Sequence, residues 1–234
     1  MKLRGLGCAA VLLIACAAAA AQTTPRAGKY ESRNGDLSVT VEGNKTLFEI
    51  DSIGSNGHTC GLQGEINAGA AQLEGSDGPC IVTFRAADHG IDVSANAACR
   101  YWCGARAMFE GNFLEPDAPC ANKARSKVRK AFQAAYDRKD FSAARAALDP
   151  LVTNCAGEMP WMENLSLRND LAVSLFHLRE RRACLTALEP LAEDAGGSDE
   201  DLQSRGEVEA QIMLPVVRAA RTNLKLCKSL PDAD

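Results

Sequence analysis

Eight cysteines beyond residue 59 constrain this chain more than any other feature. They form two sets of four. Cys60, Cys80, Cys99 and Cys103 precede the segment Glu115-Pro116-Asp117-Ala118-Pro119, and Cys120, Cys155, Cys184 and Cys227 follow it. An even number of spaced cysteines in an exported chain reads as a disulfide framework. Cys99 and Cys103 are separated by three residues, not by the two of a thioredoxin-type redox pair or a zinc knuckle. His58 and His89 stand in no ligand pattern either. Structural staples are therefore expected, with no metal and no cofactor.

The export premise comes from the first residues. Lys2 and Arg4 make a short basic region, no further charge occurs until Arg26, and the apolar stretch between them ends in Ala19-Ala20-Ala21. This is the pattern of a signal peptide over 1–21, cleaved before Gln22. A membrane anchor is the rival reading of a run of about 18 apolar residues, although its alanine-rich tail is a weak membrane former. Leu13-Ile14-Ala15-Cys16 also resembles a bacterial lipobox, in which Cys16 would be lipidated and residues 22–27 would serve as a tether. Both routes lead out of the cytoplasm, to the periplasm or to the medium.

Charge narrows the partners. The net charge is -4 and the pI about 5.5, so no overall positive field favours nucleic acid or anionic lipid. Membrane attachment is expected only through a lipidated Cys16. A protein or peptide of the envelope is the expected partner.

Two hydrophobic periods divide the chain. Residues 28–115 alternate apolar and polar in short runs: 37–41, 47–53, 58–64, 70–75, 80–86, 90–95 and 105–113. Glycine, asparagine and aspartate clusters punctuate these runs. The pattern predicts an antiparallel meander closed as a small barrel or sandwich. A domain this small has a thin core, which accounts for its staples. The two prolines of 116–119 form a stiff linker. From 120 to 227 the period is helical, with segments at 123–139, 141–152, 161–180, 182–195 and 208–227, and a tail over 228–234. The expected class is α+β in two domains. The acidic stretch 196–206 reads as a solvated connection.

The helical half repeats itself. Ala147-Leu148-Asp149-Pro150-Leu151 returns as Ala187-Leu188-Glu189-Pro190-Leu191, with Tyr136 matching Phe176 and Ala143 matching Ala183. Paired antiparallel helices with small residues where they approach resemble the tetratricopeptide (TPR) class over 120–227. The resemblance implies helical hairpins that present a surface to proteins. Here the period is 40 residues, and Pro150 and Pro190 are expected to kink or restart their helices. In such a hairpin the start of the first helix lies near the end of the second, which brings Cys120 to Cys155. Cys184 and Cys227 meet in the same way. In the first half the expected pairs are Cys60–Cys80 and Cys99–Cys103.

No catalytic pattern is recognisable, and His177, at a helix end, reads as a surface or capping residue. The stretch Cys99-Arg100-Tyr101-Trp102-Cys103, with Arg106 just beyond, has the composition of a binding hot spot. Its alternative role is structural, with Trp102 packed over a disulfide to fill the end of the barrel. His58 and Cys60 are expected beside it. The segments around Cys60 and Cys99–Gly111 also resemble disulfide-stapled β-domains of bacterial envelope proteins, some of which inhibit lysozymes. The expected function is that of an exported, non-enzymatic binding protein. The alternative is an enzyme inhibitor acting through the β-domain.

Overall fold

The computed structural model describes residues 24–76 and 78–231. The leader with Cys8 and Cys16, and residues 232–234 of the expected tail, lie outside the described residues. Eight strands build the first half: β1 (Gly28–Glu31), β2 (Gly35–Glu42), β3 (Lys45–Ile53), β4 (Thr59–Ile66), β5 (Ala70–Gly75), β6 (Gly78–Ala87), β7 (Gly90–Ala95) and β8 (Gly111–Leu114). All pairings are antiparallel, and β8 returns to β1 at Glu31–Leu114, so the sheet runs β4-β3-β2-β1-β8-β7-β6-β5. This is a nearly closed barrel whose seam lies between β4 and β5.

Alternation produces the barrel in the usual way, since successive side chains point to opposite faces. Leu37 and Val39 of β2, Phe48 and Ile50 of β3, Val82 and Phe84 of β6, and Ile91 and Val93 of β7 are all buried. Phe48 and Phe84 meet edge to face at 5.0 Å. An eight-stranded barrel is just wide enough for its side chains to fill, and these residues form one continuous core. At one end the seam is closed by a tight hairpin. Asn67 and Ala70 exchange both main-chain hydrogen bonds, and Ala68 and Gly69 take φ values of 50° and 79°, the left-handed pair that a two-residue hairpin turn requires.

Among the described residues the second half holds seven α-helices: α1 (Asn122–Asp137), α2 (Phe141–Asn154), α3 (Trp161–His177), α4 (Arg181–Ala187), α5 (Ala192–Gly196), α6 (Asp199–Gln203) and α7 (Glu207–Ser229). The 40-residue repeat is built into its turns. Lys139 and Arg179 both take left-handed φ, at 60° and 64°. Their N–H groups donate to Tyr136 and Phe176, and the next N–H in each turn donates to Ala135 and Leu175. Ala144 and Cys184 then open their helices on the carbonyls of Asp140 and Glu180. His177 ends α3 stacked on Phe141 at 4.0 Å, tying the first hairpin to the second.

Several expectations need correction here. Pro150 lies within an unbroken α2, whereas Pro190 sits in a 3₁₀ turn, Glu189–Leu191, that ends the α4 run. The tight 3₁₀ turn tolerates the missing N–H. The stretch 196–206 is not only a solvated connection. Ser198 and Asp201 form a reciprocal capping box that starts α6, Leu202 is buried, and Asp199 bridges Arg218 and Arg221 of α7. These arginines hold the Asp199 carboxyl below the usual range, chiefly through the Arg221 hydrogen bond. α7 continues through Lys228 and Ser229, into the expected tail.

The halves have separate cores. One contains Phe132, Leu148, Met159, Leu171, Leu188 and Val217 of the helices, the other the barrel interior. Between them lies a small cluster of Leu114, Ala118 and Ala121. The buried guanidinium of Arg125 pins this junction, lying 3.4 Å from Glu31 of β1 and 3.2 Å from Glu163 of α3. It also donates to the Cys120 carbonyl at 2.6 Å.

Candidate binding surface

Among the described residues there are four disulfides: Cys60–Cys103, Cys80–Cys99, Cys120–Cys155 and Cys184–Cys227. The last two join the helices as hairpin geometry requires. The first two replace the expected pairs Cys60–Cys80 and Cys99–Cys103. β4 and β6 are not neighbours, because β5 lies between them at the seam, so Cys60 and Cys80 are kept apart. Residues 97–102 form a 3₁₀ helix. At three residues per turn, positions four apart point to different flanks, and Cys99 and Cys103 accordingly reach opposite strands.

The consequence is a plug. Residues 97–103 cross the end of β5, tied to β6 by Cys80–Cys99 and to β4 by Cys60–Cys103. The span is two strand spacings, roughly 10 Å. Hydrogen bonds strengthen both ties. Asn96 accepts from the Ile81 N–H at 3.1 Å and donates to the Pro79 carbonyl at 3.0 Å. On the other side Gly104 N–H donates to the Thr59 carbonyl at 2.8 Å. Gly104 has no room for a side chain, since a Cβ would fall 2.7 Å from that of His58. The barrel is thus closed by a hairpin at one end of its seam and by a doubly stapled segment at the other.

The plug divides the aromatic pair. Trp102 packs against the barrel core, and its buried Nε1 donates no hydrogen bond. Tyr101 leaves 56% of its surface exposed, lying over Gly75 and meeting Trp102 edge to face at 5.5 Å. Arg100 is exposed beside it. The structure thus gives the staple role to Trp102 and leaves Arg100 and Tyr101 on the surface.

The expected strand over 105–113 exists only from Gly111. Residues 104–110 form a loop, with Arg106 at φ 65°. Side chains hold it instead of a ladder: Ser52 donates to the Met108 carbonyl at 3.0 Å and Asn56 to that of Ala105 at 2.7 Å. The loop separates two grooves. One, of about 810 Å³, lies between it and the plug, and Arg100 and Arg106 both line it. The other, of about 700 Å³, lies between barrel and helices, where Arg33, Arg106 and Met108 face Trp161, Glu209 and Met213. Arg106 reaches across to Glu209 at 3.5 Å. Sequence reasoning missed Glu209, because nothing local ties α7 to the loop.

Charge is concentrated here. Residues 28–115 carry six basic and twelve acidic side chains, and three of the six basic ones, Arg33, Arg100 and Arg106, line these two grooves. Among the described residues no group of three His, Cys, Asp or Glu is placed to hold a metal ion, and no helix is long and apolar enough to cross a membrane. No protein-family model, curated protein or solved structure matches the chain.

Proposed function

We propose that this is an exported, non-enzymatic binding protein that meets a partner in the cell envelope through Arg100, Tyr101 and Arg106. One observation carries the reading: an exposed tyrosine and arginine stand on a segment stapled at both ends. A tip held in one conformation loses little freedom on binding, and tyrosine and arginine are enriched at interface hot spots. The filled barrel interior directs recognition to the outside of the domain. Four disulfides support folding in an oxidising compartment. The helical hairpins, with their resemblance to the TPR class, offer a second and shorter contact surface.

The test is capture from an envelope extract by the immobilised full chain, compared with Tyr101→Ala and Arg100→Ala. A partner retained by the parent and lost by both variants is expected. Equal retention by all three would remove the plug from the account. An inhibitor using the same rigid protrusion is the second reading, and a muramidase assay separates it. Inhibition that depends on Tyr101 would favour it over a passive binder.

A further inference from the structure

The groove between plug and loop marks a gap in the barrel wall. The β7–β8 ladder stops at Val93–Gly111. Further along β7, the Ala95 N–H donates to the side-chain carboxylate of Glu110 at 3.2 Å, not to a main-chain carbonyl of the loop. From there the loop diverges from β7, and small residues, among them Ala97, Gly104 and Ala107, line the opening. Arg100 stands on one bank and Arg106 on the other. An extended main chain adds naturally to a sheet where its ladder stops, and side chains this small leave it room.

We propose that this groove binds an extended acidic segment of a partner protein, and that Glu209 of α7 competes with that segment for Arg106. The proposal rests on reading the plug as a recognition surface, and it names the chemistry of the partner. Glu110 also lines this groove, but its carboxylate accepts from the Ala95 N–H, so Arg100 and Arg106 are the lining charges left to select a carboxylate from solution in a barrel that is acidic overall. Glu209 shows how such a carboxylate is met. It approaches Arg106 at 3.5 Å while Arg106 stays 61% exposed, and its Oε2 accepts no hydrogen bond. The pair is half-buried, with Glu209 largely covered, but at 3.5 Å and without a hydrogen bond it holds Arg106 loosely and leaves that exposed guanidinium able to turn to another carboxylate. A partner carboxylate that displaced Glu209 would also release the helical half from the loop, linking occupancy of the groove to the contact between the two domains.

The experiment uses the full chain and two fluorescein-labelled decapeptides, alternating Gly-Glu and alternating Gly-Gln, followed by fluorescence anisotropy at low salt. The acidic peptide should bind and the neutral one should not. Glu209→Gln should tighten binding about threefold, the size expected for removing a weak ionic competitor. Arg106→Gln should weaken it about fivefold or more. Because the first variant gains affinity, misfolding cannot produce the expected result. Equal binding of the two peptides, no binding of either, or an unchanged affinity for Glu209→Gln would overturn the proposal. If the acidic peptide fails while envelope capture still depends on Tyr101, the groove is lost and the binding function stands. If the Glu209 effect holds while capture ignores Tyr101, the groove stands and the tip is lost.

Discussion

Trp102 rests against the barrel core while Tyr101, its neighbour, turns most of its ring to solvent, so alanine substitutions at the two positions should separate cleanly. Trp102→Ala removes a ring from a packed site and should cost about 3 kcal/mol in denaturant unfolding. Tyr101→Ala should stay within about 0.5 kcal/mol. Equal losses would mean that the plug buries both rings. A second residue-scale test concerns pH. Desolvation on α3 pushes the Asp170 carboxyl up to about 6 from 3.8. The folded state therefore holds this proton more tightly than the unfolded chain. That contribution is full below about pH 4 and is lost as pH rises through 6. Asp170→Asn should leave stability unchanged at pH 4 and raise it at pH 7. Solvent reaches this exposed residue, which keeps the gain below about 1 kcal/mol. A variant less stable at pH 7 would contradict the assignment.

At the scale of elements, the plug depends on two crosslinks of different reach. Cys80–Cys99 closes 19 residues and Cys60–Cys103 closes 43. In the chain-entropy model these contribute about 3 and about 4 kcal/mol. Replacing either pair by alanines should lower the melting temperature, and replacing Cys60 with Cys103 should also release the plug from the seam. Hydrogen exchange at Gly104, whose N–H bonds to Thr59, reads that release. Unchanged protection would show that the hydrogen bonds alone hold the segment. The strands were legible in the sequence because alternation and turn residues are local signals, and so were the helical hairpins and the cysteine pairs at their ends. The barrel pairing was not. It depends on the 3₁₀ conformation of 97–102 and on the open seam, and both emerge only when eight strands close on one another. The loop over 105–110 was misread for a related reason, since alternating residues there are held by Ser52 and Asn56, far away in sequence.

For the molecule as a whole, the described polar contacts between the two halves include Arg125 with Glu31 and Arg106 with Glu209, and Arg125 is buried in the first. Arg125→Ala removes the cation that Glu31 and Glu163 share, leaving Glu163 to Arg129 alone, and should cost about 3 kcal/mol. Calorimetry should then show the barrel and the helices melting further apart in temperature, whereas a single unshifted transition would mean that the junction lies elsewhere. The arginine and aromatic residues of the tip were visible in the sequence as a cluster. Their partition between core and surface, and the answering Glu209 on α7, required the assembled fold. We propose the stapled plug as the place where this protein meets its partner. A photocrosslinking amino acid placed at Tyr101 of the full chain, and irradiated in the envelope fraction, tests this most directly. The same probe at Val41, exposed on β2, is the control. A discrete adduct at 101 that is absent at 41, and that disappears when unlabelled parent protein is added in excess, is the predicted result. Adducts of the same pattern from both positions, or none from 101, would contradict the claim.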